Sequence, residues 1–286
     1  MKKTITAISS LIACACACAS YAAEATVVAA PAAPAAAPAA TAPAAQPEAK
    51  AINTLADEEV CAKVLDKFSA SLTLGFESEY VFRGKALAGA SLNPQIDAAY
   101  DLSHGFAAYA GVWANTPTKA GVSDEIDFYA GITYEIKNFT FDLGYTAYTY
   151  TDNAVDPNSH EMKFAVSYDT VDFLGDFNVS PTAAAYYDFT LGVYTLEAGA
   201  TYSAPVTKWI ADRNWGTIDL AAVYGWTTTA TSGGYSYFAA SADAVVAINE
   251  YCTLSVGVRY AYNNDYTELE STASRVWFGT KASIGF

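Results

Sequence analysis

The sequence predicts an all-β fold: a single up-and-down antiparallel transmembrane β-barrel of about twelve strands, preceded by an Ala/Pro-rich spacer and a short helix. Three observations predict it. Apolar residues alternate with polar ones from Phe68 to the end of the chain, the period of a strand with one greasy face. The chain is 52% hydrophobic, yet past its first residues it has no uninterrupted apolar run of about 18, so no helix is expected to cross a membrane. The alternating segments are joined mostly by short and long connections in turn, as in a barrel with short turns at one end and loops at the other.

Residues 1–22 read as a secretory signal peptide. Lys2 and Lys3 precede an apolar run from Ile5 to Ala19, and Ser20 and Ala22 are the small residues before a cleavage point. Leu11-Ile12-Ala13-Cys14 also resembles a lipobox, but a barrel held by its strands needs no lipid anchor. Residues 23–56 form a spacer rich in Ala and Pro, which cannot build a packed core and runs semi-extended. Residues 57–67 read as a short periplasmic helix. Asp57, Glu58 and Glu59 sit at its positive end, and Lys63 and Lys67 lie near its negative end. Val60, Cys61, Val64, Leu65 and Phe68 form its apolar stripe.

The barrel is expected over 68–286. From residue 68 to 83 the even positions are Phe, Ala, Leu, Leu, Phe, Ser, Tyr and Phe, and the odd ones are Ser, Ser, Thr, Gly, Glu, Glu, Val and Arg. Strands are expected near 68–82, 93–102, 105–114, 125–136, 139–150, 161–170, 178–189, 192–203, 216–227, 235–247, 252–262 and 274–286. Two joints break the short-long rhythm, 204–215 and 190–191, which makes the seventh and eighth strands the least secure and leaves ten or fourteen strands as alternatives. The tenth strand is nearly apolar on both faces, leaving its facing open.

If the apolar faces meet lipid, the other faces line a lumen. Glu77, Glu79, Asp97, Asp101, Glu125, Asp127, Glu135, Asp142, Glu197, Asp219 and Asp243 then point inward, with Arg83, Lys163, Arg259, Arg275 and Lys281 as the inward bases. The sorting is enforced, because Arg or Lys on the lipid face near the midplane costs about 2–4 kcal/mol. The net charge is −15, and −17 without Lys2 and Lys3 (13 basic against 30 acidic side chains). That balance argues against nucleic acid and anionic phosphates as partners and is compatible with cations. The surplus of acids favours a solvated lumen, since unpaired buried carboxylates are costly. Cys61 and Cys252 both fall near the periplasmic rim. They read either as a disulfide pinning the helix or as two unrelated thiols.

Signals for catalysis, cofactors or metals are missing. His104 and His160 are the only histidines and fall at opposite ends of the barrel. No Gly-rich phosphate loop, metal-spaced Cys/His set or nucleophile elbow occurs. A lipid or surface hydrolase using His160 is the least supported reading.

Two resemblances add to this. Ser78-Glu79-Tyr80-Val81-Phe82-Arg83-Gly84 resembles the S-x-Y-x-F-R-G signature of Gcw_chp, a family of uncharacterised exported bacterial proteins. The likeness continues through Ala108–Ala114, Asp124–Gly131 and Asp142–Tyr145, and is expected to span about 70 to 286. It implies an outer-membrane barrel and brings no catalytic residues. The end of the chain on Phe286 resembles the C-terminal signal that the barrel-assembly machinery reads. Together these predict a protein of the outer membrane of a Gram-negative bacterium, in contact with its lipid and with its N-terminal segment periplasmic. It is expected to be a porin-like channel for small solutes with mild cation preference, not an enzyme. The alternative is a non-conducting structural or adhesive barrel.

Overall fold

A computed structural model describes residues 66–119, 122–151, 158–174, 179–206, 216–229, 233–264 and 274–286. The signal segment, the spacer and nearly all of the 57–67 helix lie outside the described residues.

Twelve strands close into one barrel: β1 (Phe68–Glu77), β4 (Ser91–Ser103), β5 (Phe106–Pro117), β6 (Glu125–Ile136), β7 (Phe139–Tyr150), β8 (Ser159–Tyr168), β9 (Val179–Asp188), β10 (Val193–Pro205), β11 (Gly216–Thr228), β12 (Gly234–Ala247), β13 (Cys252–Asn263) and β14 (Arg275–Gly285). Each pairs antiparallel with its sequence neighbour in the wall, and β1 pairs with both β4 and β14, so no edge is left open. Two further strands, β2 (Tyr80–Phe82) and β3 (Lys85–Ala88), form a separate hairpin. A single helical turn, α1 (Val171–Leu174), follows β8, its first amide donating to Asp169 Oδ1 at 2.8 Å. We call the end where β1 begins and β14 finishes the proximal end, and the other the distal end.

The fold follows from the alternation. Leu72, Leu74, Ile96, Phe128, Leu143, Leu196, Val256 and Phe278 are exposed on the outside of the wall, and Val276 is 69% exposed. In water this would be untenable; it is the apolar band of a barrel that lies in lipid. Leu74 sits in this band near the middle of β1, opposite Ala282 and Pro94. Leu74→Arg is therefore expected to lower stability by about 2–4 kcal/mol in a urea titration of barrel refolded into bilayers. Thr73→Arg, one residue along on the other face, should cost less.

The two insecure strands are present. β9 and β10 pair from Asp188↔Val193 to Val179↔Tyr202. Their distal turn is tight because Asp188 Oδ1 accepts from the backbone N–H groups of Thr190 (2.9 Å) and Leu191 (2.8 Å). Pairing also sets the facing of β12. Tyr235 and Tyr237 are buried inside, while Phe238 and Val246 are exposed outside.

The first strand needs correcting. It ends at Glu77 and not at residue 82, and the connection between the expected strands 68–82 and 93–102 holds β3 and the start of β4. Ser78 closes the ladder: its N–H donates to the Phe278 carbonyl (2.9 Å), and its Oγ accepts from the Phe278 N–H (3.1 Å). The chain then leaves the wall. Arg83 (φ 42) and Gly84 (φ 81) form a two-residue turn with both φ positive, the geometry that matches strand twist in tight hairpins. Gly84 is needed twice over, for its φ and because a Cβ there would crowd Tyr237 and Asn263.

Candidate functional site

The β2–β3 hairpin lies inside the barrel at its distal end. Tyr80, Val81, Phe82 and Arg83 are all buried. Their partners come from opposite walls, which places the hairpin across the lumen. Tyr80 donates its hydroxyl proton to Glu125 Oε2 on β6 (2.6 Å), and its ring lies 5.7 Å from Trp113 on β5. The Phe82 ring packs edge-on to Tyr148 on β7. Arg83 Nη2 donates to both carboxylate oxygens of Glu161 on β8 (2.9 and 3.1 Å), and the guanidinium also lies 5.1 Å from the Tyr186 ring on β9. On the far wall, Lys85 Nζ sits 4.8 Å from the Tyr235 ring on β12. Asn263 Nδ2 on β13 donates to the Gly84 carbonyl (2.6 Å).

Below and around the hairpin the expected inward charges form ion pairs. Arg259 bridges Asp243 (2.9 Å) and Glu77 (3.4 Å), joining β13, β12 and β1. Arg275 Nη1 pairs with Glu79 Oε1 (2.6 Å), and Lys163 Nζ with Asp142 Oδ2 (2.6 Å). Phenols and hydroxyls serve other acids. Asp142 also accepts from Tyr109 (2.8 Å), and Asp97 accepts from Ser71 (3.2 Å), Gln95 (3.1 Å) and Tyr129. Glu197 accepts from Tyr186 (3.0 Å) and Tyr237, and Asp219 from Ser203 (2.5 Å). Nearer the proximal end, Asp101 accepts from the Ser103 N–H (2.6 Å). Asp101, Glu135, Asp219 and Lys281 are only half-buried.

Asp127 differs from all of these. It is 1% exposed, and neither carboxylate oxygen has a hydrogen-bond partner. Glu125, two residues away on the same face, accepts from Tyr80 and from Tyr150 (2.9 Å).

Sequence reasoning missed Glu161 and the tyrosines. The signal for Glu161 was present: the parity that turns Lys163 inward turns Glu161 inward too. The tyrosines gave no such signal, because a Tyr reads as apolar in a strand pattern while its hydroxyl serves an inward acid. His160 is the second residue of β8, on its outer face. Its ring stacks 5.7 Å from Phe189 and lies parallel to Tyr145, whose hydroxyl is 2.8 Å from His160 Nδ1. Cys252 carries a free thiol, and Cys61 lies outside the described residues. Among the described residues no three His, Cys, Asp or Glu side chains are grouped to hold a metal ion.

A closed, lipid-faced, twelve-strand barrel with a polar interior defines an outer-membrane β-barrel protein. Residues 62–187 match the model of a family described as "Bacterial protein of unknown function (Gcw_chp)", the family to which the Ser78–Gly84 motif points. The match stops in β9, short of the expected extent to 286. Curated proteins show no match. Among solved structures, the chain is similar to a KdgM porin in complex with disordered oligogalacturonate, with 9% identity, a TM-score of 0.44, and coverage of 76% of this chain and 99% of that one. It is similar also to an outer membrane channel from Pseudomonas putida F1, with 11% identity, a TM-score of 0.47, and coverage of 77% and 94%. LpxR from Salmonella typhimurium gives 9% identity, a TM-score of 0.47, and coverage of 76% and 99%.

Proposed function

We propose that the protein is a channel for small solutes whose distal mouth is narrowed by the β2–β3 hairpin, with mild cation preference and no enzymatic activity. The observation that carries this reading is the division of the interior. The distal half is packed around a short hairpin that is no part of the wall, whereas half-buried charges line the proximal half. A wall that seals itself needs no such insert; an insert tethered at Ser78 and Ala90 is a constriction. The surplus of inward acids, among them Glu135, Asp101 and Asp219, supports the cation preference. The proximal end would face the periplasm. There the Phe286 N–H donates to the Ala70 carbonyl (2.9 Å), while its 77%-exposed side chain remains free for the barrel-assembly machinery to read.

Planar-bilayer recordings of the refolded protein test the reading. Small, discrete conductance steps are expected, with a reversal potential in a KCl gradient displaced toward that of potassium. Absence of steps would overturn the channel. The burial of Tyr80 through Arg83 favours one alternative, a permanently closed barrel that serves the envelope structurally or by adhesion.

A further inference from the structure

Asp127 marks a binding site that the channel reading does not require. Its cross-strand neighbours are Trp113 on β5 and Tyr148 on β7, both on the same inward face. The phenols and the guanidinium around it are turned elsewhere. The Tyr148 hydroxyl donates to Glu161 Oε1 (3.1 Å), Tyr80 and Tyr150 donate to Glu125, and Arg83 is committed to Glu161. No Lys, Arg or His among the described residues lies within ion-pair distance of Asp127. The charges within reach of it, Glu125 and Glu161, have its own sign. A carboxylate with four acceptor sites, 1% exposed and without a donor, is far too costly to stand alone. Such a group must either take up a proton or bind a cation, and only the second leaves it charged.

We propose that Asp127 binds a small monovalent inorganic cation, sodium or potassium, beneath the β2–β3 hairpin. The ligand must be positive, since the surroundings are acidic. It must be small, since the hairpin, Trp113 and Tyr148 close around the carboxylate. It is monovalent because the site offers one unsatisfied carboxylate and the neutral oxygens of tyrosines, without the grouped acids that chelate a divalent ion. The bound cation would carry the positive charge that Asp127 lacks and so hold β6 against the hairpin. The site stands whether or not the barrel conducts, and its test reads binding alone.

The full-length mature protein, refolded in detergent, is unfolded in urea in potassium chloride or sodium chloride, and in N-methylglucamine chloride at equal ionic strength. With the small cation at ten times its Kd, the unfolding constant is expected to fall about ten-fold relative to the large organic cation. Asp127→Asn keeps the shape, removes the charge and should abolish that difference. Glu250→Gln, on the exposed turn between β12 and β13, should retain it. Rubidium soaked into crystals of the wild-type protein should give an anomalous peak beside Asp127, which decides the matter even if Asp127→Asn fails to fold. Equal stability of the wild type in all three salts, or a difference that persists in Asp127→Asn, or no rubidium peak, would overturn the proposal. So would a response to calcium alone.

Discussion

Excising the hairpin is expected to raise single-channel conductance about ten-fold or more while leaving the barrel intact. The geometry allows a clean excision. Glu77 on β1 lies directly opposite Ser91 on β4, so Ser78 and Ala90 can be joined by an Asn-Gly turn in place of residues 79–89. The wall ladders between β1, β4 and β14 involve none of the removed residues. Losing the hairpin frees Glu125 and Glu161 from their partners and Arg275 from Glu79, but water then fills the space and solvates them, so no buried charge is stranded. Conductance in planar bilayers is the readout, with the slower gel mobility of unfolded, boiled protein as the check on folding. An excised barrel that folds and conducts no better than the wild type would mean that the hairpin is not the constriction.

The second large effect falls on Arg83. Removing one partner of a buried ion pair costs about 3–5 kcal/mol, because the other charge is left in a low-dielectric site. Arg83→Ala leaves Glu161, which is almost completely buried, with only the Tyr148 hydroxyl. The molecule can escape that cost by releasing the hairpin and wetting Glu161. Arg83→Ala should therefore undock the hairpin: its amides lose hydrogen-exchange protection while those of the wall keep theirs. Adding Glu161→Gln should restore much of the protection, since no charge then remains to be solvated. Arg83→Lys should protect only in part, because an ammonium cannot reproduce the two-oxygen contact with Glu161 or lie flat near Tyr186. Unchanged exchange in Arg83→Ala would show that apolar packing of Tyr80, Val81 and Phe82 holds the hairpin unaided.

Most of the wall was legible in the sequence. A strand between lipid and a polar interior must alternate, and a one-residue slip would turn every side chain to the wrong medium. Hence Glu125–Ile136 and Phe139–Tyr150 have the bounds that the alternation predicts. The same alternation misled at Tyr80–Phe82. A hairpin strand buried in the lumen has apolar residues at the same spacing as a wall strand facing lipid, and the count of alternating positions cannot tell the two media apart. The positions that could have warned are Ser78, which caps a ladder, and Arg83-Gly84, a turn pair directly after the expected end of the strand.

The sequence by itself determined the class of fold, the wall strands apart from the end of the first, and most of the acids and bases on their inner face, because each follows from a period of two and the cost of charge in lipid; Glu79 and Arg83, read as wall residues, lie beyond β1. Tertiary structure alone decided that the Ser78–Gly84 motif enters the lumen, that Arg83 meets Glu161 and that Asp127 meets no donor. Those facts depend on which residues face each other across a closed barrel, at sequence separations where no local pattern carries information. The pairing of Glu161 with Arg83 spans 78 positions and that of Gly84 with Asn263 spans 179. Closure of the wall brings them together, and the charges and donors they carry then select which contacts form.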